Sequence, residues 1–333
     1  MLTLTLVVAV AVAVVAAVLL VRPTQTSPSH GGGPSTSSAV IAPLTGLTDP
    51  SDLTSHRCAV TVKVDNTPEA RPQYGVEQAD VVYEEVVEGN ITRLAAVFNS
   101  RAPTRVGPVR SVRRTDQSIV WPLRGIFAYS GGAPYAIASI DTAPVTQLDE
   151  ARAGTTMWRD PNRSAPHNLY ARVDRMYARC ADPPPPALFT YRTSTERPGG
   201  SAVVSLHVGF ESGYAVTWSW DASTGTWARS IFGGPEVAAS RTPLTTVNIV
   251  VMFVHYVGGV GVEGAEATLT GQGPAWVFSD GRVTKGTWSR PDKQHPAQLR
   301  DGLGQPMRLT AGPTWVELPD ASYTVTIRAA AHG

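Results

Sequence analysis

The sequence predicts an α+β or α/β first domain followed by a mostly β second domain, a sandwich or small barrel, both behind an N-terminal transmembrane helix. Three observations carry this reading. Leu2 to Val21 is an unbroken run of apolar, alanine and threonine residues. Residues 41–182 mix stretches of strand period with stretches of helix character. After Pro183–Pro186 the texture changes to short alternating runs rich in valine, threonine and aromatics.

The opening run is about twenty residues, long enough to cross roughly 30 Å of hydrocarbon as a helix. A cleaved export signal carries a basic region ahead of its apolar stretch, but here the first basic residue, Arg22, lies behind it. Neither cysteine, Cys58 or Cys180, sits where a lipid-attachment cysteine would. The expectation is a single-pass membrane protein, anchored through residues 1–22, with its folded part on the extracytoplasmic side. Residues 23–40, rich in proline, serine and glycine, read as an extended stalk because they bury too little apolar surface to offset chain ordering.

In the first domain, 41–182, Cys58 to Val64 (CAVTVKV) alternates as a strand and stops at the turn-forming pair Asp65-Asn66. Asp80 to Val87 and Arg93 to Phe98 read as a hairpin across the connector Glu88-Gly89-Asn90. Helices are expected at Thr115 to Leu123 and Pro134 to Ile140, with a short strand at Ile126 to Tyr129 between them. Residues 183–200 form a proline-rich linker. The second domain, 201–333, contains seven alternating runs: Ala202 to Val208, Tyr214 to Trp220, Val247 to Val254, Ala275 to Phe278, Val283 to Trp288, Thr314 to Leu318 and Tyr323 to Ile327. Asp280-Gly281 is a two-residue hairpin signal. Six tryptophans fall in this half, and core packing explains them more simply than saccharide stacking.

Two cysteines in an exported chain either pair, clamping both ends of the first domain, or remain as buried thiols; spacing alone does not decide. Neither His255 nor His295 has a metal-ligand partner at suitable spacing.

Eleven arginines fall between Asp65 and His167, in a chain with only three lysines. Guanidinium is planar and permanently charged, and its forked donors suit phosphate or carboxylate. The same arginines could equally be structural partners of Glu84, Glu85 and Glu88. The expected ligand-binding set is Asp65, Asn66, Arg71, Arg93, Arg110, Arg113, Gly131, Gly132, Arg159, Arg163 and Asn168, gathered around one cleft. Ser130-Gly131-Gly132 would present backbone N–H groups ahead of a helix, or simply make a tight turn. The catalytic candidates are His167, Glu84 and Glu88: His167 as the acid/base group, oriented by Glu84, Glu88 or Asp65, or a carboxylate as the general base, with a structural hydrogen-bonding role for His167 as the alternative. A divalent cation at Asp65 and Glu84 is a further option.

Pro43-Leu44-Thr45-Gly46-Leu47, VKVDNTPEARPQYGVEQADVVYEEVVEGNITR, VGPVRSVR, Ser130-Gly131-Gly132 and SAPHNLY together resemble the YerB-like family of bacterial lipoproteins, a domain family of unknown function. Gly271-Gln272-Gly273, Lys285-Gly286-Thr287-Trp288 and Leu309 to Trp315 extend the resemblance through the second half. It implies fold and envelope location, and no activity. The family's lipid-attachment cysteine has no counterpart here, which leaves the apolar helix as the expected anchor. A fainter similarity, from Thr92 to Ala136, is to the order of motifs in LytR-CpsA-Psr glycopolymer transferases, which hold a polyprenyl pyrophosphate with arginines; Arg114-Thr115-Asp116 is the nearest string to their arginine-aspartate-threonine order.

A formal charge of +1 gives no support to bulk binding of nucleic acid or anionic lipid. Three functions stay in view: binding of an anionic cell-wall or lipid-linked glycan ligand, transfer or hydrolysis at a lipid-linked pyrophosphate, and a scaffold whose polar network is purely structural.

Overall fold

The structure is a computed structural model that describes residues 39–210 and 213–330. The expected transmembrane helix and most of the stalk lie outside these residues. Among the described residues no helix is long and apolar enough to cross a membrane.

The first half supplies β1 (Val60–Asp65), β2 (Val81–Val86), β3 (Thr92–Phe98), α1 (Arg114–Val120), β4 (Ile126–Ala128), α2 (Pro134–Ile140), β5 (Thr146–Leu148), α3 (Glu150–Ala153), β6 (Met157–Arg159), β7 (Leu169–Ala171) and α4 (Val173–Met176). The second half supplies β8 (Ser201–Gly209), β9 (Val216–Asp221), β10 (Thr226–Ile231), β11 (Gly234–Pro235), β12 (Thr245–Thr246), β13 (Asn248–Met252), β14 (Tyr256–Val257), β15 (Glu266–Ala267), β16 (Gly271–Ser279), β17 (Arg282–Arg290), β18 (Gln298–Asp301), β19 (Thr314–Leu318) and β20 (Thr324–Ala329). The protein is mostly β, with four short helices among the described residues.

Local chemistry explains the boundaries. Asp280 and Gly281 both take positive φ in the two-residue turn that closes β16 on β17, the geometry a tight hairpin requires. Gly89 and Asn90 do the same between β2 and β3. The Asp116 carboxylate accepts from the Arg113 backbone N–H at 2.6 Å and fixes the start of α1. Pro134 occupies the first turn of α2, where its missing N–H costs nothing.

One mixed sheet runs through both halves, in the order β11-β10-β9-β8-β17-β16-β13-β19-β2-β3-β1-β4-β5. The junction is β19, which comes late in the chain yet lies parallel to β2 on one side and to β13 on the other. This corrects the expectation of a separate sandwich or barrel. The second-half strands do form two layers, since Trp218 of β9 packs on Trp315 of β19 at 5.3 Å and Trp227 of β10 on Phe278 of β16 at 5.7 Å. However, one of those layers is continuous with the first-half sheet. Trp218, Trp227, Trp288 and Trp315 are buried and serve as core, and Trp220 and Trp276 are half-buried against it.

Cys58, just ahead of β1, and Cys180, just after α4, form a disulfide with a Cα–Cα separation of 5.9 Å. It clamps the two ends of the first half.

Candidate functional site

Successive residues of a strand face opposite sides of the sheet, and the register sorts the predicted residues by this rule. Asp65, Arg93 and Glu85 are cross-strand neighbours on one face. Glu84 and Leu94 are neighbours on the other, as are Glu84 and Glu317 of β19.

On the first face, Asp65 is fully buried at the carboxyl end of β1. Its Oδ2 lies 2.8 Å from Arg110 Nε and 2.8 Å from His167 Nδ1. Arg110 reaches this position because Pro108–Arg110 takes over the edge of β1 beyond the end of β4: Asp65 N–H donates to Pro108 O and Arg110 N–H to Lys63 O, both at 2.9 Å. His167 arrives from the loop between β6 and β7, and its Nε2 hydrogen-bonds to no described residue. Arg113 forks onto Glu88, with Nε donating to Oε2 at 2.7 Å and Nη2 to Oε1. Burial pushes the Glu88 carboxyl up, but the Arg113 hydrogen bond and charge, then Arg93, outweigh it and hold the group below its ordinary range.

Arg93 sits between these two pairs. It is 3% exposed, its one ion pair among the described residues is with Glu88 at 3.8 Å, the Asp65 carboxylate acts on it through space, and its Nε and Nη1 have no hydrogen-bond partner among the described residues. Burial first, then the charge of Arg113, lowers its pKa from 12.5 to about 10. Three guanidinium groups thus face Asp65 and Glu88, while Glu85, the register neighbour of Arg93, pairs with Lys63 on the same face. Alongside, Glu88, Ser111, Arg113, Gly131, Gly132 and Tyr135 help line an open cleft of about 560 Å³. Gly131 has φ 137° and a β-carbon there would meet nothing within 4 Å. The helix after it, α2, has only seven residues, which leaves the glycine turn as a shape of the cleft rather than a helix-dipole site.

The opposite face holds a closed ring. Asn66 donates to Glu84 Oε1 at 3.0 Å; Arg229 Nη2 donates to Glu84 Oε2 at 2.5 Å; Arg229 and Arg71 both pair with Glu236; Arg71 Nη2 returns to Asn66 Oδ1 at 2.5 Å. Thr92 Oγ1 and Trp315 Nε1 complete the shell of Glu84 at 2.7 and 3.2 Å. Burial first, then Arg229, lowers the Arg71 pKa from 12.5 to about 9. Glu317 is fully buried and accepts from Trp218 Nε1 at 2.7 Å; burial first, and then the Glu84 carboxylate, pushes its own carboxyl well above the ordinary range.

The expectation of one shared cleft is therefore corrected. Asp65, Arg93, Arg110, Arg113, Glu88, His167, Gly131 and Gly132 do gather on one side. Asn66, Arg71 and Glu84 are internal, on the other face, and engaged with residues of the second half. Arg159 is forked onto Glu150 at 2.6 and 2.5 Å and holds Asn168 Oδ1 at 2.7 Å. Arg163 donates to Glu69 O and Tyr170 Oη, each at 2.9 Å, and ties down the loop after β1. Asp65 and Glu84 point to opposite faces, so they do not make the expected cation pair, and no group of three or more metal-ligating residues is found among the described residues. Sequence reasoning missed Lys63, Asp116, Arg229, Glu236 and Glu317. For Lys63, Arg229 and Glu317 the signal was charge inside apolar strand runs (VTVKVD, TWARSI, TWVEL), which marks buried charged groups; Asp116, in α1, and Glu236, after β11, carried no such signal.

Fold and site together define a mixed-sheet, mostly β protein whose two halves share β-sheet and core, with an open cleft bordered by Arg113, Glu88 and the Gly131-Gly132 turn. The chain belongs to the family described as protein of unknown function (DUF3048), its N-terminal domain matching residues 44–184 and its C-terminal domain residues 206–316. It is 28% identical over 304 residues to a Bacillus subtilis (strain 168) protein named "Putative lipoprotein YerB", a match covering 86% of this chain and 88% of that one. The crystal structure of YerB from Bacillus subtilis superposes with a TM-score of 0.73 at 25% identity, covering 86% of this chain and 99% of that chain. The YerB-like resemblance read from the motifs is thereby shown.

Proposed function

We propose that this is a membrane-attached, extracytoplasmic envelope protein that binds a phosphate- or carboxylate-bearing ligand at the Arg93–Arg110–Arg113 cluster. The location rests on the apolar run Leu2 to Val21 and on the relative named a lipoprotein. The binding reading rests on Arg93. A buried guanidinium without hydrogen-bond partners for two of its nitrogens is a costly arrangement unless an acceptor visits it. Arg110 and Arg113 would fork onto the same anion, with Asp65 and Glu88 holding them in place.

The test is calorimetric titration of the purified full chain with inorganic phosphate and pyrophosphate, alongside the Arg110→Ala/Arg113→Ala double variant. Saturable binding that the variant loses, with its melting temperature within a few degrees of the parent, supports the reading. A variant that melts far lower, in a protein that binds neither anion, assigns the arginines to structure and refutes it.

A second reading is favoured by the Asp65–His167 pair. A buried carboxylate on Nδ1 leaves Nε2 to take a proton, so a transferase or hydrolase acting at a lipid-linked pyrophosphate would use His167 as its base. Pyrophosphate-ester turnover abolished by His167→Gln, with pyrophosphate binding retained, would select it.

A further inference from the structure

Away from the arginine cleft, a second cavity lies against the same face of the sheet beneath α1. Its inner recess, about 30 Å³, is walled by Ile119, Leu188, Phe189, Met252, Leu269 and Leu299. It adjoins an outer groove of about 410 Å³ between the segment after the proline run and the loop ahead of β18, and the two share Leu188, Phe189, Pro296, Ala297 and Leu299. Within apolar walls the recess carries three polar side chains: Tyr83 of β2, Ser118 of α1 and Arg290 at the end of β17.

None of the three has the partner its burial calls for. Ser118 is 2% exposed, and its hydroxyl, like that of Tyr83, hydrogen-bonds to no described residue. Burial pushes the Tyr83 phenol up to about 12, so it is a donor at any ordinary pH. Arg290 is 5% exposed and forms no ion pair with any described residue. It donates to the carbonyls of His295 and Lys293, each at 2.6 Å, and more distantly to Leu269 O at 3.4 Å, while the Asp292 carboxylate acts on it through space without an ion pair. Burial lowers its pKa.

A buried cation without an ion pair, lining one recess with two free hydroxyl donors, calls for an anionic acceptor small enough for that recess, and the groove, where Leu188, Phe189, Ala297 and Met307 stand beside Thr190, His295, Gln298 and Arg300, gives room for a chain attached to it. A phosphate would fill the recess with charge that a single cation cannot balance, whereas a carboxylate carries one charge and two oxygens. We infer that this cavity binds a long-chain monocarboxylate head first, its carboxylate on Arg290, Tyr83 and Ser118 and its alkyl chain along Leu188, Phe189, Ala297 and Met307. The site is separate from the arginine cleft and does not depend on its function.

The test is displacement of a fluorescent fatty acid from the full chain by dodecanoate and by methyl dodecanoate. Dodecanoate should compete saturably, and the ester, which keeps the chain but not the charge, should be weaker by roughly tenfold or more. Tyr83→Phe/Ser118→Ala should weaken dodecanoate by a similar factor and leave the ester unchanged. Ala297→Trp, where the groove meets the recess, should weaken both. Excess pyrophosphate should displace nothing. Equal affinity for acid and ester, indifference to Ala297→Trp, displacement by pyrophosphate or absence of binding would each overturn the proposal.

Discussion

Glu317→Gln should flatten the dependence of stability on pH. Glu317 of β19 and Glu84 of β2 are register partners in a parallel ladder, both fully buried. Burial, and then the neighbouring Glu84 carboxylate, raises the Glu317 pKa well above 4.5. The native protein therefore keeps a proton that the unfolded chain releases above its ordinary carboxylate pKa. The stabilising contribution of this group is complete below that value and declines as pH rises toward the native pKa. Within that window, between the unfolded and the native pKa, the loss approaches about 1.4 kcal/mol per pH unit. Glutamine has the shape of the protonated acid: its Oε1 can accept from Trp218 Nε1 and its amide can donate toward Glu84. Urea denaturation of both proteins at three pH values gives the difference in slope directly, since every other titrating group is common to the pair. The variant should be shallower by about 1.4 kcal/mol per unit and gain on the parent as pH rises. Parallel slopes would refute the reasoning, because they would mean that Glu317 ionises alike in the native and unfolded states.

Two further outcomes follow from other buried groups. Lys63, fully buried, sits between Glu85 and Asp116, with Asp116 Oδ1 at 2.7 Å. Lys63→Met should cost about 3–5 kcal/mol near neutral pH by stranding two carboxylates, and less in acid, as urea midpoints at two pH values would show. Opening the Cys58–Cys180 bridge, which spans 122 residues, should cost about 4–5 kcal/mol on the loop-entropy account, read as the drop in urea stability of Cys58→Ala/Cys180→Ala; an unchanged midpoint would mean that the unfolded chain is already restrained.

Local pattern carried most of the secondary structure. The helix at Pro134–Ile140 and the strand at Thr314–Leu318 stand where the sequence places them, and β1, β2 and β3 agree to within a few residues. These elements are set by alternation, turn residues and a proline at a helix start, all readable within a short window. Thr226–Ile231 was missed because Arg229 interrupts its apolar alternation, although that arginine is there to meet Glu84 on another strand. The parallel pairing of β19 with β2 joins residues more than two hundred positions apart, and no local signal encodes such a pairing. The arginine density was legible, but its division between two faces was not.

That division has a physical origin which also explains what each group does. Asp65 and Asn66 are adjacent, as are Glu84 and Glu85, so in extended chain each pair must separate onto opposite faces. On the face covered by β8–β12, polar side chains that come together are sealed from water and must satisfy one another. Glu84, Arg229, Glu236, Arg71 and Asn66 therefore close into a ring, and the ring ties first-half strands to second-half strands. On the other face α1 covers Lys63, Glu85 and Asp116, but beyond the end of β1 the cover is only a loop. Arg93, Arg110, Arg113 and His167 lie there, with an open cleft beside them. The arginine side of this sheet lacks the closure of the other, and that asymmetry, more than the number of arginines, is what the proposed ligand site rests on.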